Sequence, residues 1–171
     1  LGHQRILHIS GETSVFTARE RIAGFKSAIT DAGIDLLPEM IYNFTYELDE
    51  MCAMADSLRL HIKRFRPTAI FCGNDHIAGF VSNILAELRL KIPDDVSLAG
   101  YGRVKDYIIG NVLLTTVDQH IDQISESAIK MLLQDIMAKR QGGTVNNGTV
   151  KIVKSDIFEG KSCKKIKEGT L

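Results

Sequence analysis

The stretch from Arg66 to Gly102 constrains the fold of this chain more than any other, because it pairs two short apolar runs with one helical pattern. Thr68 to Cys72 predict a buried strand, since a short run of mainly apolar residues between a proline and a glycine is typical of one. Val96 to Ala99 predict a second strand. The apolar residues between them recur at helical spacing, and they are Ile77, Phe80, Val81, Ile84, Leu85 and Leu88. A strand, a helix and a strand in this order predict a parallel pair with a right-handed crossover.

This unit also indicates where a ligand would bind. In parallel α/β sheets, ligands lie beyond the carboxyl ends of the strands. Asn74, Asp75 and the turn Gly100–Gly102 occupy those ends. Asn74 or Asp75 can also cap the following helix, because their side chains accept hydrogen bonds from free N–H groups at a helix start. These positions are therefore the first candidates for contact with a small molecule.

Strand and helix patterns alternate along the rest of the chain. Further strands are predicted at Arg5–Ile9, Met40–Phe44 and Val112–Val117, and Val150–Val153 with Ile157–Phe158 predict one or two more. Further helices are predicted from a capping box at Thr17–Glu20 to a C-cap at Gly33, over Leu48–Phe65, and over Ile121–Met137. This alternation predicts an α/β fold with a mainly parallel sheet flanked by helices.

Composition narrows the function classes. The 171 residues include 21 Lys and Arg and 21 Asp and Glu, so the net charge is zero, whereas a DNA-binding module usually has a basic excess. No apolar run reaches the roughly eighteen residues that a membrane span needs, so we expect no membrane partner. Cys52, Cys72 and Cys163 are an odd number without metal-ligand spacing, which indicates reduced thiols in a cytoplasmic protein.

Three kinds of site find little support in the sequence. Gly100-Tyr-Gly102 lacks the third glycine of a dinucleotide loop, because position 105 is lysine. The five histidines are scattered, which does not favour a metal site. Cys72 lies inside a predicted strand, and the chain has no nucleophile motif. We therefore expect no cofactor and no enzymatic activity. The alternative of an α/β enzyme would require an acid–base or nucleophile pair that the sequence does not show.

Several segments carry a resemblance to a known family when they are taken in order. They are Leu1-Gly-His-Gln-Arg-Ile6, Ala18-Arg-Glu-Arg-Ile-Ala-Gly-Phe25, Pro67-Thr-Ala, Asn74-Asp75, Ile92-Pro-Asp-Asp-Val-Ser-Leu-Ala-Gly-Tyr101 and Leu114-Thr-Thr-Val-Asp-Gln119. Together they resemble the effector-binding domain of the lactose/galactose-repressor family, which has the periplasmic-binding-protein type 1 fold. The opening segment resembles the repressors of this family more than its transport proteins.

The resemblance implies two α/β lobes that enclose an effector. Residues 1–117 and 148–171 would form the C-terminal lobe, and residues 118–147 would be a helix segment of the N-terminal lobe. Most of the N-terminal lobe and the DNA-binding head would be missing, so we expect the chain to be truncated at its N-terminus. The apolar stripe of the helix at Ile121–Met137 would pack on the missing lobe or on a substitute partner.

The resemblance also implies ligand contacts. Arg21 matches the family's effector-contacting arginine and Asn74 its asparagine, with Asp75 beside it. Tyr46 is the candidate for an aromatic residue that stacks on a sugar, and Phe44 is the alternative. Gly102 replaces an aspartate that commonly binds sugar hydroxyls in the family. The expected effector is therefore a sugar or, with that acceptor lost, a sugar phosphate or acidic sugar.

These inferences predict the effector-sensing and dimerisation part of a bacterial transcriptional regulator. The alternative is a solute-binding protein of a sugar transport system. We expect a homodimer, because the helix from Asp75 to Leu88 carries more apolar residues than one sheet face needs. Contact with DNA would occur only through the missing head.

Overall fold

The computed structural model describes residues 1–45, 48–142 and 148–166. Its helices are α1 (Phe16–Asp31), α2 (Leu48–Phe65), α3 (Asp75–Glu87) and α4 (Ile121–Arg140). Its strands are β1 (Ile6–Ser10), β2 (Ile41–Asn43), β3 (Ala69–Cys72), β4 (Ser97–Tyr101), β5 (Ile108–Ile109), β6 (Val112–Leu113), β7 (Thr115–Asp118) and β8 (Asp156–Phe158).

Six of the strands form one sheet in the order β2-β1-β3-β4-β7-β8. The first five are mutually parallel, and β8 runs antiparallel to β7. In the centre of the sheet, Phe71 on β3 pairs with His8 on β1 and with Ala99 on β4. The predicted α/β class, with a mainly parallel sheet flanked by helices, is confirmed.

The two faces of the sheet are covered by different helices. Side chains alternate between the two faces along a strand. Leu7, Ile70 and Leu98 therefore lie on the same face of the sheet, where they pack with α2 and α3 in the larger part of the core. Ile6 and Phe71 face the other way, where they pack against Phe25, Ile29 and Met40. Helix α1 therefore covers one face of the sheet, and it leaves a groove beside itself on that face.

Of the two caps that the sequence predicts for α1, only the C-terminal one is present. At its C-terminus, Gly33 adopts φ +68°, and the Ile34 N–H donates to the Ile29 carbonyl, which is the predicted glycine C-cap. At its N-terminus the predicted capping box is wrong. The helix begins at Phe16 after an extended Val15 that makes no side-chain cap, so Thr17 already lies inside the first turn.

The single strand predicted at Val112–Val117 is also wrong. Its first two residues, β6, pair back with β5 to form a short antiparallel hairpin through Gly110, which has φ +58°. Leu114 interrupts the run, because its side chain is buried and its N–H donates to the Tyr107 carbonyl. The sheet strand β7 starts only after it. The strand predicted at Val150–Val153 is absent too, and Val150 and Ile152 are more than 80% exposed.

The burial of α3 contradicts the argument that its excess of apolar residues forms a dimer interface. The apolar residues that the sequence predicts to be in excess on this helix are at most 2% exposed, and they are Ile77, Ala78, Val81, Ile84 and Leu85. The sheet covers them, together with Ile109 of the β5–β6 hairpin. Because the core already buries this face, it offers no surface to a second chain.

Helix α4 is the opposite case. None of its residues is buried, although it carries an apolar stripe. Seven large apolar side chains on it are 40–60% exposed, and they are Ile121, Ile124, Ile129, Leu132, Leu133, Ile136 and Met137. Nevertheless, neither α4 nor any other helix in the described ranges is long and apolar enough to cross a membrane.

Candidate functional site

The carboxyl ends of β1, β3 and β4 meet the first turns of α1 and α3 at one edge of the sheet. Arg21, in the second turn of α1, lies at this edge. Its Nη1 donates to the Gly73 carbonyl over 2.8 Å, and its guanidinium carbon lies 4.0 Å from the centroid of the Tyr101 ring. The end of β3 and the end of β4 therefore hold the arginine side chain from two sides.

Asn74 follows Gly73 directly, so it lies beside the carbonyl that Arg21 binds. Its backbone is extended and its side-chain oxygen accepts the Ile77 N–H over 2.8 Å, which makes it the N-cap of α3. The capping role predicted for this pair of residues thus falls to Asn74. The side chain is half-buried at the same edge as Arg21.

Asp75 has a different environment. Its side chain is 1% exposed, and its two oxygens accept the Thr116 hydroxyl over 2.6 Å and the Val104 N–H over 2.7 Å. A Cβ atom on Gly100 would overlap with the same carboxylate, so glycine is required there for close approach. The carboxylate therefore ties the start of α3 to β7 and to the loop after β4.

Of the two aromatic candidates, Tyr46 and Phe44, the structure describes only Phe44. Tyr46 lies outside the described residues. Phe44 is 4% exposed and packs edge-on against Phe80, with ring centroids 5.2 Å apart. Phe44 is therefore part of the core.

Gly102 leaves open space at the end of β4. It adopts φ +124°, a conformation that residues with a side chain rarely adopt, and a Cβ atom there would approach only the amide nitrogen of Gln119, at 3.9 Å. No carboxylate is therefore supplied from this position, which directly follows Tyr101 in the chain.

His8 lies beneath this edge, stacked between Phe25 and Phe71 with ring centroids 5.1 Å apart on each side. Its Nδ1 lies 2.9 Å from the Phe71 carbonyl, whereas its buried Nε2 has no hydrogen-bond partner among the described residues. Burial lowers the pKa of His8 from 6.5 to about 4. The hydrogen bond to Phe71 opposes this shift of the pKa, and the charge of Arg21 adds a smaller lowering. The imidazole is therefore neutral at pH 7.

A groove of about 1040 Å³ runs beside α1 and connects this edge to the opposite end of the helix. Glu20, Arg21, Tyr101 and Gln119 line its polar end. Its apolar wall is formed by the start of the chain, by α1 and by the residues just after α1, and it includes Leu1, Gly2, Gly24, Ala28, Ala32 and Ile34. The charged side chains of Glu20 and Arg21 thus lie at the carboxyl edge of the sheet, whereas His3 and Gln4 line the groove near the start of the chain.

Sequence reasoning does not name Tyr101 and Gln119 as site residues. A period-two reading of β4 could have found Tyr101, because Leu98 faces α3 and the residue three positions later must face the other side. Gln119 follows the end of β7 and carries no local signal of its own. As for metal sites, the described residues contain no group of three or more His, Cys, Asp or Glu side chains that could hold an ion.

Comparison with known proteins finds the same family as the sequence resemblance. Residues 1–163 match the family of the periplasmic binding protein-like domain. The HTH-type transcriptional repressor PurR of Vibrio vulnificus (strain CMCP6) is 35% identical over 138 residues, which cover 81% of this chain and 41% of the repressor. The chain therefore spans about two fifths of the length of this relative.

Solved structures show the same fold at lower identity. The Escherichia coli transcriptional repressor ascG superposes with a TM-score of 0.75 at 23% identity, over 94% of this chain and 56% of that one. The dimeric Lac repressor with an 11-residue C-terminal deletion superposes with a TM-score of 0.73 at 23% identity, over 95% of this chain and 56% of that one.

Proposed function

The chain belongs to the periplasmic binding protein-like domain family, and from this premise we propose that it is the effector-sensing part of a bacterial transcriptional regulator. The observation that carries the proposal is the similarity to a transcriptional repressor along four fifths of the chain. The three relatives compared above are all repressors, which favours this function over a solute-binding protein of a transport system. DNA contact through a separate head, a cytoplasmic location and the lack of a catalytic step are parts of the same proposal.

The proposed effector site is the edge that carries Arg21 and Asn74. Arg21 supports it because its guanidinium is held in place by Gly73 and Tyr101 and still lines an open groove. Asn74 supports the site because its side-chain amide, which caps the start of α3, lies at the same edge. We retain Tyr46 as a proposed aromatic contact. For Asp75 we propose a positioning role, because both of its oxygens already accept hydrogen bonds from the protein.

We base the proposed lobe assignment on the difference in burial between α4 and the elements around the sheet. Residues 1–117 and 148–171 would form the C-terminal lobe around the sheet, and residues 118–147 would belong to the other lobe. The complete lack of buried residues on α4 supports this division, because the sheet does not use its apolar stripe. Effector binding between the lobes would then close them and change the equilibrium between two states of the regulator.

We also propose that the regulator is a homodimer, as is the Lac repressor with the C-terminal deletion. The apolar face of α3 does not supply the interface, because the core covers it. The dimer surface must therefore use residues outside that face.

The test of the proposed function needs the full-length protein. Its binding to DNA from its own promoter region can be measured by fluorescence anisotropy, with and without a panel of sugars and sugar derivatives. We expect specific DNA binding that at least one small molecule changes, and a dimer in sedimentation. A full-length protein that binds no DNA, or whose DNA binding ignores every ligand that it binds, would contradict the proposal.

A further inference from the structure

We infer that the effector carries an anionic group, a carboxylate or a phosphate, that binds the guanidinium of Arg21. The inference rests on the proposed function and names the chemical class of the ligand at the same site. Its starting point is the charge balance around Arg21, which the positions of the neighbouring residues determine.

Arg21 is a half-buried cation that has no counter-charge among the described residues. Among the described residues it forms no ion pair with any carboxylate, whereas Arg59, Arg103, Lys130 and Lys164 all do. Its partners are the Gly73 carbonyl and the Tyr101 ring. A carbonyl and a ring face orient a cation and contribute to its stability, but neither carries a net charge.

The groups that surround Arg21 do not supply the missing charge. His8 below it is neutral at pH 7, and Gly102 has no side chain. The buried carboxylate of Asp75 is turned away toward Thr116 and Val104. Glu20 lines the same groove, but its side chain is exposed to solvent and makes no ion pair with Arg21. The open side of the guanidinium therefore faces the polar end of the groove.

This arrangement favours an anion over a neutral hydroxyl. Arg21 uses one N–H on Gly73, so several of its five donors remain for a ligand. A hydrogen bond between two ionised groups is about twice as strong as a neutral one, and the planar fork of arginine matches carboxylate and phosphate oxygens. A neutral polyol would not supply the negative charge that the described residues around Arg21 lack.

The test uses full-length protein and matched sets of probes. Isothermal titration calorimetry would compare neutral sugars with their 6-phosphates and with the corresponding sugar acids, and inorganic phosphate would be a further probe. Arg21→Met removes the charge, Arg21→Lys keeps it without the fork, and Lys26→Met removes one charge from an exposed position of the same helix. The sugar phosphates and the sugar acids separate the two possible sources of the anionic group.

We expect at least one phosphate or acid to bind more tightly than its neutral parent. Arg21→Met should weaken that ligand by about 10- to 100-fold, the range for a hydrogen bond to a charged group. Arg21→Lys should retain part of the affinity, and Lys26→Met should retain all of it. Tight binding of a neutral sugar that is unaffected by Arg21→Met would overturn the inference and leave the proposed function standing. If no probe binds and no probe changes DNA binding, both fail.

Discussion

Helices α3 and α4 both carry an apolar stripe, but only one of them is buried. Four large apolar residues of the α3 stripe are at most 2% exposed and Phe80 is half-buried, whereas seven large apolar residues of α4 are 40–60% exposed. Both stripes follow helical spacing, so the sequence pattern alone does not separate them. Helix α3 connects the parallel neighbours β3 and β4 and packs against the core, whereas α4 connects β7 to its antiparallel neighbour β8 and buries none of its residues.

The comparison shows what an apolar stripe does and does not indicate. It indicates that a face must be buried, because leaving a Leu or Ile side chain exposed forgoes roughly 1.5–3 kcal/mol. It does not indicate which part of the molecule, or which molecule, covers that face. For α3 the answer is the core around the sheet. For α4 we propose the second lobe of a longer protein.

The largest expected effect comes from one matched pair of substitutions. Leu85→Ala removes a fully buried side chain of α3, and Leu132→Ala removes a side chain of α4 that is 56% exposed. In the 171-residue chain, Leu85→Ala should lower the free energy of unfolding by about 2–5 kcal/mol, the usual range for buried leucine. Leu132→Ala should change it by less than about 0.5 kcal/mol.

Urea denaturation of both variants checks this prediction. A cost for Leu132→Ala that equals the cost for Leu85→Ala in the monomeric chain would break the comparison, because it would mean that α4 already has a partner within the 171-residue chain. In the full-length protein the cost of Leu132→Ala should rise toward that of Leu85→Ala.

A second test uses His8, a titratable residue that is fully buried. The pKa of His8 is about 4 in the folded state, against its ordinary value of 6.5, so the unfolded chain takes up a proton first as the pH falls. Above about pH 6.5 the group has no effect on the pH dependence of stability. Between about pH 6.5 and 4 it should lower the free energy of unfolding by about 3 kcal/mol, and below about pH 4 it should have no further effect.

The variant His8→Phe isolates this contribution. It keeps a ring between Phe25 and Phe71 but removes the titration. Denaturation measured from pH 7.5 to 4 should therefore give a shallower loss of stability for the variant than for the wild type. Equal slopes would mean that the imidazole is free to take up a proton in the folded state.

A smaller effect is expected where α3 is tied to β7. Thr116→Val removes the hydroxyl that donates to buried Asp75, and an unsatisfied buried acceptor costs about 1–3 kcal/mol. The control is Thr30→Val, at an exposed position of α1, which should change the stability by less than about 0.5 kcal/mol. If both threonine variants lose equally little, then Asp75 does not depend on Thr116.

Sequence reasoning predicts the parts of the fold that local patterns determine. The strand–helix–strand unit, the Gly33 cap and the Asn74 cap all follow from residues close in the chain. It fails where tertiary contacts decide. Leu114 divides an apolar run because its backbone binds Tyr107, and Val150 to Val153 form no strand and leave Val150 and Ile152 exposed.

The candidate site shows the same limit. The family resemblance points to Arg21 and Asn74, and the edge rule explains why they lie near one another. The burial of Asp75 could not be predicted, because it depends on Thr116, which is 41 residues away. The alternation of side chains along β4 could have predicted which face of the sheet Tyr101 occupies. Its contact with Arg21 could not be predicted in this way, because it depends on where α1 lies on the sheet.

Hydrogen exchange tests the central claim about α4 most directly. Amide protection of α3 and α4 should be measured by mass spectrometry in the monomeric 171-residue chain and in the full-length protein. Amides of α3 should exchange slowly in both, since the core covers this helix, whereas those of α4 should exchange quickly in the short chain and slowly in the full-length protein. An α4 that is as protected as α3 in the monomeric short chain, or that stays unprotected in the full-length protein, would contradict the account.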